Sequence, residues 1–241
     1  MDINCDMGEM SETWYSGHDK DILKYITSIN ISCGAHAGDE ALIIDTIKEA
    51  VKYKLKLGAH PSFPDPENFG RVVMEISSED LRQTLFHQIL YLKGIVEKEG
   101  EKLHHLKLHG ALYNLAAQDI GVASVLLNVV TEIDKKLIIY CPFDSNLEKE
   151  AKKVGLTVCR EAFADRTYNN DGSLVNRSDP RALILDPLLA LEQAKEIWNF
   201  KRVKSLGGEI ITLEANTICV HGDGLKALEI ASSLSNYFFK K

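Results

Sequence analysis

Between residues 104 and 114 the chain reads HHLKLHGALYN, an apolar run carrying His105, Lys107 and His109 at every second position. A β-strand projects alternate side chains to opposite faces, so Leu106 and Leu108 share one face and the three basic residues the other. Alone, such a segment describes an edge strand with its polar side in water. The pattern is not alone. In DINCD (2–6), Asp2, Asn4 and Asp6 oppose Ile3 and Cys5. ITSINISC (26–33) sets Asn30 and Ser32 against Ile29, Ile31 and Cys33, and LKLGAH (55–60) sets Lys56, Gly58 and His60 against Leu55, Leu57 and Ala59.

Further short apolar runs follow at LIIYCP (137–142), LTVCREAF (156–163) and NTICVHGD (216–223), with helical patterns between most of them. Asp39 caps a helix with the stripe Leu42, Ile43, Ile47, Ala50 and Val51, closing near Gly58. Ser77 and Asp80 form a capping box that opens a long helix with Leu81, Leu85, Ile89 and Leu92 on one side, ended by Gly100. Segments 118–134, 144–154, 187–206 and 222–238 read as helices too. Strand alternating with helix predicts an α/β fold with parallel strands, and seven such units suit a closed or nearly closed barrel. A doubly wound open sheet is the structural alternative, but its strands should be apolar on both faces. In a barrel ringed by helices the apolar parity faces outward, so the polar parity must line the lumen.

The 241 residues, 45% hydrophobic and 26% charged, can bury a sizeable core. Neither a repeat nor a low-complexity linker divides them, so one domain over 1–241 is expected. A net charge of −7 without a lysine- and arginine-rich cluster argues against nucleic-acid or membrane-surface partners. An anionic ligand would need a local basic pocket. No apolar run is long enough to span a bilayer, and MDINCDMGEM lacks the regions of a signal peptide, so the cytoplasm is expected. Cys5, Cys33, Cys141, Cys159 and Cys219 are dispersed and unpaired in spacing, as reduced thiols are. Cys33, in ISCGAHAGD, is a candidate nucleophile as well as a candidate buried thiol.

Polar residues gather where strands give way to loops: Asp6 and Glu9, His36 and Asp39, His60, Lys107 and His109, Glu161 with Asp165 and Arg166, and His221 with Asp223. In parallel α/β folds these strand ends share the face where active sites form. Two long connections, PSFPDPENFGRVV (61–73) and ADRTYNNDGSLVNRSDP (164–180), add Arg71, Arg166 and Arg177, whose guanidinium forks suit carboxylates and phosphates. Asp6, His36, His60 and His109 have metal-ligating atoms, but their spacing is not diagnostic and HEXXH is absent, which leaves a metal site open. A Walker A sequence and a strand-linked GxGxxG are also missing, and GGEIITLEA near residue 210 reads as a turn and short hairpin.

Taken in order, NCDMGE (4–9), ITSINISCGAHAGD (26–39), GAHPSFPD (58–65), FGR (69–71), LKLHGALYN (106–114), EAFADRTY (161–168) and TICVHGD (217–223) resemble the LamB/YcsF family. The resemblance implies a seven-stranded (β/α) barrel similar to that of glycoside hydrolases and polysaccharide deacetylases. It also implies ATP-dependent opening of 5-oxo-L-proline to L-glutamate, by a complex in which such a chain works with 5-oxoprolinase subunits B and C. ATP, with Mg2+, would be bound by this chain or through those partners. For that reaction we expect catalytic roles for Asp6, His36, His60, Lys107, His109 and Asp165. Asn4, Glu9, Arg71, Glu161, Arg166 and His221 are expected to bind substrate or phosphate. The chain departs from the family pattern at Ala35, where Phe is usual, at Leu108, where Pro is usual, and at Val72, where a second Arg is usual. Two other readings are metal-dependent amide or ester hydrolysis without ATP, and a non-catalytic subunit that presents a small acid.

Overall fold

The computed structural model describes residues 1–239. Its centre is a closed parallel barrel of β1 (Asp2–Met7), β2 (Ser28–Ser32), β3 (Lys56–His60), β4 (Leu103–Lys107), β5 (Ile138–Pro142), β6 (Val158–Phe163) and, returning beside β1, β9 (Thr217–Val220). The expected seven-stranded (β/α) barrel is therefore the fold. Outside the barrel, β7 (Arg202–Lys204) and β8 (Ile210–Thr212) form the antiparallel hairpin read from GGEIITLEA.

The connecting helices are α1 (Ser11–Tyr15), α2 (His18–Ile22), α3 (Glu40–Lys52), α4 (Ser78–Lys98), α5 (Gly110–Gln118), α6 (Ile120–Ile133), α7 (Asn146–Lys153), α8 (Pro187–Phe200) and α9 (Ala227–Phe239). Their ends follow local chemistry. Asp39 Oδ1 accepts the Leu42 amide at 2.8 Å to open α3, and Ser77 Oγ accepts the Asp80 amide at 3.1 Å to open α4. The segment read as a helix over 118–134 is α6, trimmed at its start, where Gln118 closes α5 and Asp119 leaves helical geometry and caps α6 through Val122. Likewise α3 ends well before Gly58 and α8 ends at Phe200, where Lys201 turns left-handed before β7. Among the described residues no single helix is long and apolar enough to cross a membrane; α5 and α6, apolar together, meet at 110°.

The alternation along the strands has the predicted direction. Ile3, Cys5, Ile29, Ile31, Leu57, Ala59, Leu106, Ile139, Ala162, Ile218 and Val220 face outward and are sealed under Leu42, Ile43 and Ile47 of α3, Leu85 and Ile89 of α4, and Leu126 and Val130 of α6. Each such Leu or Ile contributes about 1.5–3 kcal/mol by leaving water. The opposite parity is buried just as deeply but is polar: Asp2, Asn4, Asp6, Ser28, Asn30, His105, Lys107, Glu161 and Thr217. One segment is displaced from expectation. The strand read at 105–109 ends at Lys107, and His109 becomes the residue preceding α5, with its amide bonded to the Pro61 carbonyl at 2.9 Å.

Candidate active site

A polar lumen is tolerable only if its groups satisfy one another. At the base, the Asp2 carboxylate accepts from Thr217 at 2.6 Å, Ser28 at 2.8 Å, Thr27 at 2.8 Å and Tyr140 at 3.2 Å. One layer up, Asn30 Nδ2 donates to Asn4 Oδ1 at 2.8 Å and Asp6 Oδ1 at 2.7 Å, while its carbonyl oxygen accepts from His105 Nε2 at 2.8 Å. The parallel register makes these partners: Asp6 pairs with Asn30 across β1 and β2, and His105 lies opposite Gly58 across β3 and β4.

The top layer is charged. Lys107 Nζ lies 2.9 Å from Asp6 Oδ1, 3.1 Å from Glu161 Oε1, 3.1 Å from Cys219 Sγ and 3.5 Å from Asn4 Oδ1. Burial opposes charge on Lys107, yet the Asp6 carboxylate above all holds its pKa well above the usual value. Burial likewise opposes charge on Asp6, and the Lys107 ammonium 2.9 Å away helps overcome it, leaving that carboxyl well below the usual range. Although Glu161 is close to Lys107, the approach is off line for a hydrogen bond, and both its buried oxygens, like the buried Tyr113 hydroxyl, make none among the described residues.

Beside this ion pair three imidazoles converge. His60 Nδ1 donates to the Lys107 carbonyl and His109 Nε2 to the Phe69 carbonyl, each at 2.9 Å. His36 Nδ1 contacts Ser62 Oγ at 2.8 Å, and its Nε2 lies 3.1 Å from Glu9 Oε1. The His36 and His109 rings stack 3.8 Å apart. Burial lowers the pKa of both, with the neighbouring imidazoles adding to the effect at His109, so both are neutral bases at neutral pH.

Lys107, Asp6, His60 and His109 open onto a cavity of roughly 290 Å³ whose outer wall is the two long loops. Its rim carries Arg71 and Arg177, which both reach Asp223, Arg71 at 2.5 Å and Arg177 at 3.6 Å. His221, just past β9, is bonded to Asp165 through its amide at 2.9 Å and its Nδ1 at 3.0 Å. The structure thus brings Asp6, Glu9, His36, His60, Lys107, His109 and Glu161 into one cluster, with Asp165, His221 and Arg71 at its edge. Asn4 lies a layer below, supporting Lys107. Arg166 lines the cavity but donates through Nε to the Ala182 carbonyl and through Nη2 to the Val175 carbonyl, which fastens the 164–180 loop. Cys33 is buried away from the cavity, and burial pushes its thiol up to about 12, which removes the nucleophile reading. Sequence reasoning missed Tyr113, Asn114 and Phe163 as cavity-lining residues. Tyr113 and Asn114 follow His109 by one helical turn in the quoted LKLHGALYN, and that spacing was the available signal.

A sequence model of the LamB/YcsF family matches residues 1–240. The chain belongs to this family. It is 42% identical over 234 residues to the 5-oxoprolinase A subunit of Tolumonas auensis, covering 97% of this chain and 93% of the relative. It is 38% identical over 238 residues to the protein of that name from Bacillus cytotoxicus, covering 99% and 94%. Among solved structures, the lactam utilization protein from Thermus thermophilus superposes with a TM-score of 0.90 at 35% identity, over 98% of this chain and 94% of that one. In this LamB/YcsF chain the motifs carrying the likeness all end at the same mouth. Of the departures, Val72 is half-exposed beside Arg71, whereas Leu108 is buried at the end of β4.

Proposed function

We propose that this chain is the A subunit of an ATP-dependent 5-oxoprolinase, opening 5-oxo-L-proline to L-glutamate together with subunits B and C. One observation carries the reading: the Lys107 ammonium and the Glu161 carboxylate stand 3.1 Å apart, and the carboxylate is buried without a hydrogen bond of its own. A five-membered ring forces its amide to show N–H and C=O on one edge. Such an edge matches an adjacent donor and acceptor, with Glu161 taking the N–H and Lys107 facing the oxygen. The names of the relatives point to the same substrate.

A lactam is a poor electrophile. In the proposed sequence the terminal phosphoryl group of ATP passes to the lactam oxygen, and water then adds to the ring carbonyl carbon. The carbon–nitrogen bond breaks and the nitrogen takes a proton, leaving a γ-glutamyl phosphate, which a second water hydrolyses to glutamate and phosphate; ADP departs at the phosphoryl transfer. Lys107 stabilises negative charge on the oxygen, and Asp6, His60 or His109 takes the proton from water. Asp165 orients His221 at the cavity edge for the second proton transfer. Arg71 and Arg177 hold the substrate carboxylate or a phosphate. ATP enters with Mg2+, bound in part through the partner subunits, and the reading assumes the cytoplasm, where ATP is available.

The test is glutamate formation from 5-oxoproline and ATP, by this chain alone and then with subunits B and C. Turnover that needs ATP and the partners, and that is lost on Lys107→Ala, is expected. Glutamate formed without ATP would favour an amide hydrolase. Full turnover by the Lys107→Ala complex would make this chain a non-catalytic presenter of the acid.

A further inference from the structure

The imidazoles at the cavity floor are each committed at one nitrogen. Carbonyl oxygens only accept, so His60 carries its proton on Nδ1 and His109 on Nε2. Ser62 gives its hydroxyl proton to the Phe63 carbonyl at 2.8 Å and so accepts from His36 Nδ1. Gln88 of α4 grips the Ser62 backbone at both its amide and its carbonyl, which fixes that acceptor in place.

The remaining nitrogens are lone pairs, and they face other acceptors. His60 Nε2 lies 2.9 Å from His109 Nδ1 and 3.3 Å from Asp6 Oδ2. Glu9 Oε1 lies 3.1 Å from His36 Nε2, 3.4 Å from His109 Nδ1 and 3.9 Å from His60 Nε2. Five electron-rich atoms in a buried site repel unless something positive joins them. Charge bookkeeping says the same: Asp6, Glu9 and Glu161 oppose only Lys107 here, so two negative charges stand uncompensated.

We propose that Asp6, His60 and His109 bind one divalent transition-metal ion, with the Glu9 carboxylate and His36 just outside the ligand set. Ligand atoms about 2.1 Å from a metal lie about 3.0 Å apart in octahedral and about 3.4 Å apart in tetrahedral geometry, and the His60–His109 and His60–Asp6 contacts of 2.9 and 3.3 Å fall at these values. Two imidazoles and a carboxylate select a metal such as zinc, cobalt, nickel or iron over magnesium or calcium. Each ring also gives its second N–H to a fixed oxygen, the outer-shell arrangement that orients metal-bound histidines. Asp6 divides its oxygens: Oδ1 serves Lys107 and Asn30, and Oδ2 is left for the ion. The role of the ion rests on the lactam-opening reading, since the cavity beside it is where the carbonyl oxygen and the attacking water would meet, but the binding does not.

The same geometry has one rival, two extra protons: one shared by His60 and His109, the other between His36 and Glu9. Titrating the untagged, chelator-stripped chain with Co2+, without 5-oxoproline or ATP, separates them. We expect one Co2+ per chain, the visible d–d bands of nitrogen and oxygen ligation, and a higher unfolding temperature. His60→Ala and His109→Ala, checked for folding by circular dichroism, should each weaken Co2+ binding at least tenfold. A wild-type chain that takes up neither Co2+ nor Zn2+ at millimolar concentration would overturn the proposal in favour of the protons. Binding unchanged by both substitutions in folded protein would also overturn it, because the ion would then sit elsewhere. Failure in either form leaves the glutamate assay untouched, and failure of that assay leaves Co2+ binding untouched.

Discussion

Gly58 is where the polar lumen is most exposed to a single added methyl group. A Cβ built there would lie 2.1 Å from His105 Nε2 and 2.4 Å from both adjoining ring carbons, far inside van der Waals contact. The ring cannot swing clear, because Tyr140 stacks on it at 4.0 Å and its Nε2 donates to Asn30 at 2.8 Å. Overpacking of this kind costs about 1–3 kcal/mol, and loss of the Asn30 bond about 1 kcal/mol more. Gly58→Ala should therefore destabilise by about 2–4 kcal/mol. In a chain of this length that lowers Tm by about 5–15 °C. The backbone at Gly58 is not left-handed, so alanine has no conformational penalty to confuse the result. Urea unfolding of Gly58→Ala, His105→Ala and the double variant measures the coupling directly. The double variant should be at least ~1 kcal/mol more stable than the sum of the singles predicts. A Gly58→Ala protein within ~0.5 kcal/mol of wild type, or strict additivity, would refute an inward-facing His105 opposite Gly58.

Lys107→Met leaves Asp6 and Glu161 buried without their shared cation, which should destabilise the fold by about 3–5 kcal/mol and lower kcat in the assembled enzyme at least ~10²-fold. Urea titration and single-turnover kinetics check the two effects separately. His36, His105 and His109 all have pKa values lowered by burial, so the unfolded chain binds their protons more readily. Their contribution to stability is complete above the unfolded imidazole value of ~6.5 and is lost as pH falls below it, by up to ~1.4 kcal/mol per pH unit for each ring. The urea midpoint of the metal-free chain should accordingly drop steeply between about pH 6.5 and 5.5. A flat midpoint across that window would show the rings to be charged in the fold.

Much of this was legible because a strand's period of two is strict. Once Asp2, Asn4 and Asp6, Asn30 and Ser32, and His105 and Lys107 share a parity, and helices must cover the other side, the polar set has only the lumen to occupy. Sequence position also located the mouth, since Glu9, His36, His60 and His221 all lie at or just beyond strand ends. What it could not convey was how each polar group is employed. Arg166 and Arg71 look alike in a loop, yet one binds backbone carbonyls and the other Asp223 at the rim. Tyr113 carries an ordinary core-like signature on α5, and only the assembled barrel sets its buried hydroxyl near Glu161 at the cavity wall. The tautomers of His36, His60 and His109 depend on oxygens of Ser62, Lys107 and Phe69 that only the assembled barrel brings within reach.

The barrel and the chemistry are thus one arrangement: an apolar exterior buries the strands under helices, and the polar interior that remains rises to a floor of ammonium, carboxylates and imidazoles. The most direct test is a crystal structure of the chain with 5-oxoproline. The lactam edge should lie on Lys107 Nζ and Glu161, with the ring in the cavity above His60 and His109. A molecule bound elsewhere, or bound with its lactam edge turned away from that pair, would contradict the proposed chemistry.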